Sequence, residues 1–236
     1  DGIRDCLLSR GLGDVYKRQY IMSEFERINR LPTYVFQEVN DLKAKLRHKG
    51  KDIIDFGMGN PDMPTPTHIR EKLQETVNKP GTGRYSTSRG IPGLRKAQVS
   101  YYERRFGVKL DPEKEVIVTL GSKEGLANLA QAITSPGDII LSPNPSYPIH
   151  PYGFIIAGAS LRHLPAMEDG QFNQELFLEK LDRAIRHSVP SPKAVIVSFP
   201  SNPTAQIVDL GFYQEVVKIG LKYNTVSYTH LRAHET

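Results

Sequence analysis

The feature that most constrains this chain is one stretch near its middle, Val116-Ile117-Val118-Thr119-Leu120-Gly121-Ser122-Lys123-Glu124-Gly125-Leu126-Ala127-Asn128-Leu129. The β-branched run from Val116 to Leu120 reads as a buried strand, broken by Gly121 and Ser122. Leu126, Leu129, Ala130 and Ile133 then recur at helical spacing, which predicts a helix opening at once. A strand that turns sharply into a helix leaves backbone N–H groups without intrahelical acceptors, backed by the positive end of the dipole. Such a turn can hold an anion, usually a phosphate. Lys123 would oppose the dipole unless an anion sits between them. The pattern also fits an ordinary βα connection with a solvated lysine. It matches neither GxxxxGK[ST] nor GxGxxG.

Alternating elements extend on both sides. Helices are predicted from about Tyr34 to Lys49, from a Thr67 cap through Ile69, Leu73 and Val77, and from Pro92 to Gly107. Two more are predicted over Asn173–His187 and from Asp209 to about Tyr223. Besides Val116–Leu120, strands are predicted at Asp52–Phe56, Asp138–Ser142, Ser160–Leu164 and Ala194–Phe199. This order argues for an α/β fold with a mainly parallel sheet sandwiched by helices. Two polar loops stand just past strands: Pro143-Asn144-Pro145-Ser146-Tyr147-Pro148, whose prolines make Tyr147 project, and Pro200-Ser201-Asn202-Pro203-Thr204. Open α/β sheets bind ligands at such carboxyl ends. Taken alone, Tyr147 reads first as a ring packed on its own loop.

Composition excludes more than it selects. The net charge of +5 over 236 residues is modest and dispersed, so neither nucleic acid nor a membrane surface is an expected partner. No apolar run approaches transmembrane length and no charged-then-apolar leader is legible. Cys6 is the sole cysteine, which leaves no disulfide framework or thiolate metal site and suits a cytoplasmic location. The histidines lack metal-ligand spacing, and no serine lies in a GxSxG setting.

The two ends read as foreign. Residues 1–19 and 226–236 resemble translated sequencing-adapter read-through, which leaves 20–225 as the interpretable chain, with Met22 a candidate start.

Three motifs stand in order: Gly121-Ser122-Lys123-Glu124-Gly125, Asn144-Pro145-Ser146-Tyr147-Pro148 and Phe199-Pro200-Ser201-Asn202-Pro203-Thr204. With Arg30-Leu31-Pro32-Thr33-Tyr34-Val35-Phe36, Met58-Gly59-Asn60-Pro61-Asp62 and Tyr85-Ser86-Thr87-Ser88-Arg89-Gly90-Ile91-Pro92, the chain resembles the class I/II aminotransferases, pyridoxal-phosphate enzymes of fold type I. The wording is nearest the glutamate–pyruvate (alanine) transaminase branch, with diaminopimelate and aspartate aminotransferases close by. The resemblance implies pyridoxal 5'-phosphate as cofactor, an amino acid and a 2-oxo acid as substrates, and a homodimer. It implies that the Ser122 and Lys123 amides hold the cofactor phosphate, Tyr147 stacks on the ring and Asn202 donates to the ring oxygen. Tyr85 would reach the phosphate of a partner's cofactor, while Gly59 and Tyr34 would line the substrate. Ala205 departs from the glycine that many relatives place after Asn-Pro-Thr.

The resemblance also implies a division. Residues 20–60 would form the amino-terminal arm and part of the small domain, and 61–225 the amino-terminal half of the large domain. No lysine here stands in the Ser-x-x-Lys setting that bonds the cofactor. That lysine, the aspartate under the pyridine nitrogen and two arginines are expected past Thr225, so no catalytic residue is assigned and the chain as given is expected to be inactive. By the same resemblance, the strand at Val116–Leu120 pairs with the last strand of the large domain. The strand at Ala194–Phe199 is expected to be separated from Asp138–Ser142 by the strand that follows it in sequence. The alternatives are another fold type I enzyme, such as a C–S lyase, or the ligand domain of a regulator.

Overall fold

The structure, a computed structural model, describes Asn29, residues 31–57, Gly59 and residues 62–229. In chain order these form α1 (Val35–His48), α2 (Thr67–Val77), α3 (Pro92–Phe106), α4 (Ser122–Ile133), β1 (Ile139–Asn144), α5 (Ile149–Ile156) and β2 (Ser160–Pro165). There follow β3 (Met167–Glu168), β4 (Gln171–Phe172), α6 (Gln174–Arg186), β5 (Ala194–Val197), α7 (Leu210–Tyr223) and β6 (Val226–Thr229). Residues 1–19, Met58, Asn60, Pro61 and the last residues of the 226–236 segment lie outside the described residues.

Local chemistry sets several helix ends. Pro92 opens α3, and Gly107 closes it in the left-handed conformation that glycine adopts without a Cβ clash. Asn173 caps α6 by accepting from the Leu176 amide at 2.9 Å, and Asp209 caps α7 by accepting from Phe212 at 2.8 Å.

The chain divides into two compact units, one over Thr33–Thr119 and one running from Leu120 onward together with the residues up to Pro32. This is a division by contacts within the chain, whereas the expected domain scheme divides a larger fold.

In the Leu120-onward unit, four parallel strands lie in the order β2-β1-β5-β6. Alternation sorts the two central strands onto two cores. Ile139, Leu141, Val195 and Val197 pack with Phe177 and Leu181 of α6 and Phe212 and Val216 of α7. Ile140, Ala194 and Ile196 face the other way, onto Leu126 and Ala130 of α4 and Phe154 of α5. Burying each large side chain is worth about 1.5–3 kcal/mol. The helices therefore cover both faces of a parallel sheet, as the alternating pattern requires.

Several expectations are corrected. Val116–Leu120 is not a strand: no described strand pairs with it, Ile117 and Leu120 are exposed, and an extended run without a partner makes no ladder. Asp52–Phe56 is irregular for the same reason, with Ile54 and Phe56 exposed. The expected strand order is also wrong. β5 pairs directly with β1, Ile140 facing Ala194, and the following strand β6 pairs on the other side of β5, Ala194 facing Val226. The first four residues of the segment read as foreign thus form a strand. Gly220 of α7 makes room for it, since a Cβ there would meet the Thr225 carbonyl oxygen at 2.8 Å.

Two elements went unread. α5 is apolar almost all round and holds Pro151 and Gly153, so it carries no amphipathic stripe. The β3–β4 hairpin turns on Asp169-Gly170, both with positive φ (49° and 77°), which is a legible Asp-Gly signal.

In the Thr33–Thr119 unit, α1 and α2 bury no residue and α3 buries only Arg95. Arg95 donates from Nε to the Pro112 carbonyl at 2.9 Å, from Nη2 to both Glu113 oxygens at 2.8 Å, and from Nη1 to the Gly90 carbonyl. Gly90 has φ +82°, and a Cβ there would lie 2.3 Å from Val118 Cγ2.

Candidate functional site

The start of α4 is set by Gly121, whose φ of 84° and ψ of 164° suit glycine alone. Glu124 reaches back to accept from the Leu120 amide, in the manner of a capping box. The first intrahelical bond runs from the Gly125 amide to the Gly121 carbonyl at 3.2 Å. The amides of Ser122 and Lys123 come before any intrahelical acceptor, at the positive end of the dipole. Both residues are exposed.

Lys123 does not simply extend into solvent. Its Nζ stands 5.4 Å from the centroid of the Tyr147 ring, a cation–π contact worth about 0.5–1 kcal/mol at an exposed position. Tyr147 lies between β1 and α5, half-buried, with the imidazole of His150 set edge-on at 5.9 Å and 80°. The His150 amide donates to the Tyr147 carbonyl at 2.9 Å, and the His150 side chain is buried. His150 is a neighbour that sequence reasoning missed; its signal was the spacing of one turn from Tyr147. The capping Glu124 was likewise legible, three positions past Gly121.

Asn202 is half-buried in the turn after β5. The turn closes with the Ser201 amide donating to the Gln206 carbonyl at 2.8 Å and the Ala205 amide donating to the Ser201 carbonyl at 2.7 Å. Ala205 sits at φ 55°, which is where a glycine would carry no Cβ penalty. Because β1 and β5 are adjacent and parallel, Tyr147 and Asn202 leave the sheet at the same end. The first turn of α4 joins them there through Lys123 and Tyr147.

The other expected residues belong to the Thr33–Thr119 unit. Tyr85 is fully exposed in the loop between α2 and α3, Gly59 is exposed, and Tyr34 stands at the residue preceding α1 with its ring 5.5 Å from Phe36.

The arrangement offers backbone donors for a phosphate, an aromatic ring for stacking and an amide for an acceptor oxygen. Comparison with known proteins gives the family. Residues 51–228 match the family described as Aminotransferase class I and II. AatC of Rhizobium meliloti is 55% identical over 91% of this chain and 52% of its own length. The glutamate-pyruvate aminotransferase AlaC of Escherichia coli is 54% identical over 86% of this chain and 48% of its own. Aspartate aminotransferase from Thermus thermophilus superposes with a TM-score of 0.78 at 26% identity, covering 89% of this chain and 53% of that one. The chain spans about half the length of the curated relatives it matches. It belongs to the class I and II aminotransferases, pyridoxal-phosphate enzymes of fold type I.

Proposed function

We propose that this chain supplies the cofactor seat of an aminotransferase that moves an amino group between glutamate or alanine and a 2-oxo acid, acting as a cytoplasmic homodimer. The observation that carries the reading is that Tyr147 and Asn202 leave adjacent parallel strands at the same end, with Lys123 of α4 5.4 Å from the Tyr147 ring. Pyridoxal phosphate, when bound, supplies an electron sink for charge developing at the substrate's α-carbon.

The chain's own residues bind and orient. The Ser122 and Lys123 amides receive the phosphate along the α4 dipole. Tyr147 stacks on the flat ring, held edge-on by His150, and the Asn202 side-chain amide donates to the ring oxygen. Tyr85 reaches the phosphate in the partner subunit, and Gly59 and Tyr34 line the substrate. Residues 20–60 form the arm and small-domain part, and 61–225 the first half of the large domain. Identity of 54% to a glutamate-pyruvate aminotransferase, against 39% to an LL-diaminopimelate aminotransferase of Dehalococcoides mccartyi, supports the substrate pair.

The test is a panel of amino donors and oxo acids, run on the chain extended to the length of its relatives. Glutamate with pyruvate is the expected best pair. A clear preference for diaminopimelate or aspartate moves the protein to a neighbouring branch.

A further inference from the structure

We propose that the groove between β2 and α6 binds a small polyvalent oxyanion of the pyrophosphate kind. The groove, of about 290 Å³, is lined by Arg162, His163, Lys180, Arg183, His187 and Ser188 among others, and no lining residue is acidic. β2 is an edge strand, so this side of the sheet carries no further strand among the described residues.

One cation is held in a fixed pose. Arg162 Nη1 donates to Ser188 Oγ at 2.6 Å, and Ser188 Oγ in turn donates to the Ala184 carbonyl. Ser188 is only 7% exposed, so it cannot relax away from the guanidinium. A guanidinium tied down by one N–H keeps the rest of its donor fork for a planar or tetrahedral oxyanion. Lys180 is placed by donating to the Pro165 carbonyl. Arg162, Lys180 and Arg183 have no carboxylate within ion-pair distance among the described residues. Arg186 on the same helix, by contrast, is bound to Asp182 at 2.7 Å.

The arrangement has a cost when empty. Lys180 and Arg183 are one helical turn apart and repel each other, with Glu179, one turn before Arg183, offsetting part of that repulsion. Leu164 of β2 and Leu181 of α6 share one buried cluster, which fixes the backbones that carry the cations. A divalent or higher anion removes the repulsion, whereas a monocarboxylate neutralises only one of three charges. None of these residues belongs to the cofactor seat.

Calorimetric titration of the chain with inorganic pyrophosphate, with amide shifts followed by NMR, tests the site. Saturable binding is expected, with the largest shifts at Arg183 and Ser188. Arg162→Gln and Arg183→Gln should each weaken it about tenfold, as for loss of a charged hydrogen bond. Ser188→Ala, which keeps every charge but frees the guanidinium, should weaken it severalfold; if that variant does not fold, the two surface arginines carry the test. Lys96→Gln removes the same charge elsewhere and should leave binding unchanged. Absence of binding, equal loss in Lys96→Gln, undiminished binding in the Arg162→Gln/Arg183→Gln double variant, or shifts centred on Ser122 would each overturn the site.

Discussion

The helices of the two units have similar local signals and opposite fates. α4, α6 and α7 place Leu126, Phe177, Leu181, Phe212 and Val216 in cores where almost nothing reaches water. α1 and α2 carry equally regular apolar rows, yet Val35, Leu42, Leu73 and Val77 are all more than half exposed. Spacing and caps suffice to make a helix legible, but most of a helix's stability comes from what its apolar face touches. The Leu120-onward unit owns a sheet to touch. Among the described residues of Thr33–Thr119 the only buried helical side chain is a hydrogen-bonded arginine.

The largest effect that could break this contrast is a matched pair of truncations. Phe212→Ala should cost about 3–5 kcal/mol, because its ring meets Phe172, Phe177 and Phe199 within 6 Å. Leu73→Ala, at 64% exposure, should change stability by less than about 0.5 kcal/mol. Denaturant unfolding of both variants measures this, and equal losses would show that the exposed rows are packed in solution.

Next is the arginine. Arg95→Met removes its bonds to Gly90, Pro112 and Glu113 and should cost about 2 kcal/mol. Hydrogen exchange should quicken first at the amides of Gly90, which bonds Thr87, and Val118, which bonds Arg89. Unchanged exchange there would mean the loop is held by something else.

A smaller effect depends on pH. The Tyr223 hydroxyl, donating at 2.9 Å, holds the Asp182 carboxyl below its usual range, with Arg186 and Lys222 adding to it. A lowered folded-state value means a stabilising contribution that is present above the ordinary carboxylate range and lost as pH falls through the lowered value. The melting temperature should therefore fall on acidification, and Tyr223→Phe should flatten that fall. Identical acid profiles would remove Asp182 from the α6–α7 contact.

The smallest expected change is a gain. Ala205→Gly relieves a left-handed alanine, worth about 1–2 kcal/mol, but loosens the unfolded chain by about 0.4–1 kcal/mol. A net stabilisation of about 0.5 kcal/mol should appear in the unfolding midpoint, and a loss would place the strain elsewhere in the turn.

What the sequence revealed followed the same contrast. Pro92, Gly107, Asn173 and Asp209 mark helix ends through local chemistry, so those ends were readable one residue at a time. Ile139, Ile140 and Val195 to Val197 form strands because neighbours supply ladder partners. Val116 to Leu120 has the same composition without a described partner, and composition could not tell the two cases apart. α5 was hidden by its uniform apolarity. The three site motifs were legible as an ordered set. The exit of Tyr147 and Asn202 from adjacent strand ends, and the seating of Tyr147 between Lys123 and His150, depend on which strands pair, where the expected order failed.

The glycine inside α5 ties these motifs to the core. A Cβ on Gly153 would stand 3.9 Å from the Ala127 Cα and 4.0 Å from the Ala130 Cβ, so α4 and α5 approach almost backbone to backbone. One helix begins at the Gly121 turn and the other follows directly from Tyr147. The gap between turn and ring is therefore gauged from behind, by small residues that no ligand would touch. A bulkier side chain at Gly153 or Ala127 would wedge the helices and widen the jaw they form, shifting fit for a ligand while every contacting group stayed in place.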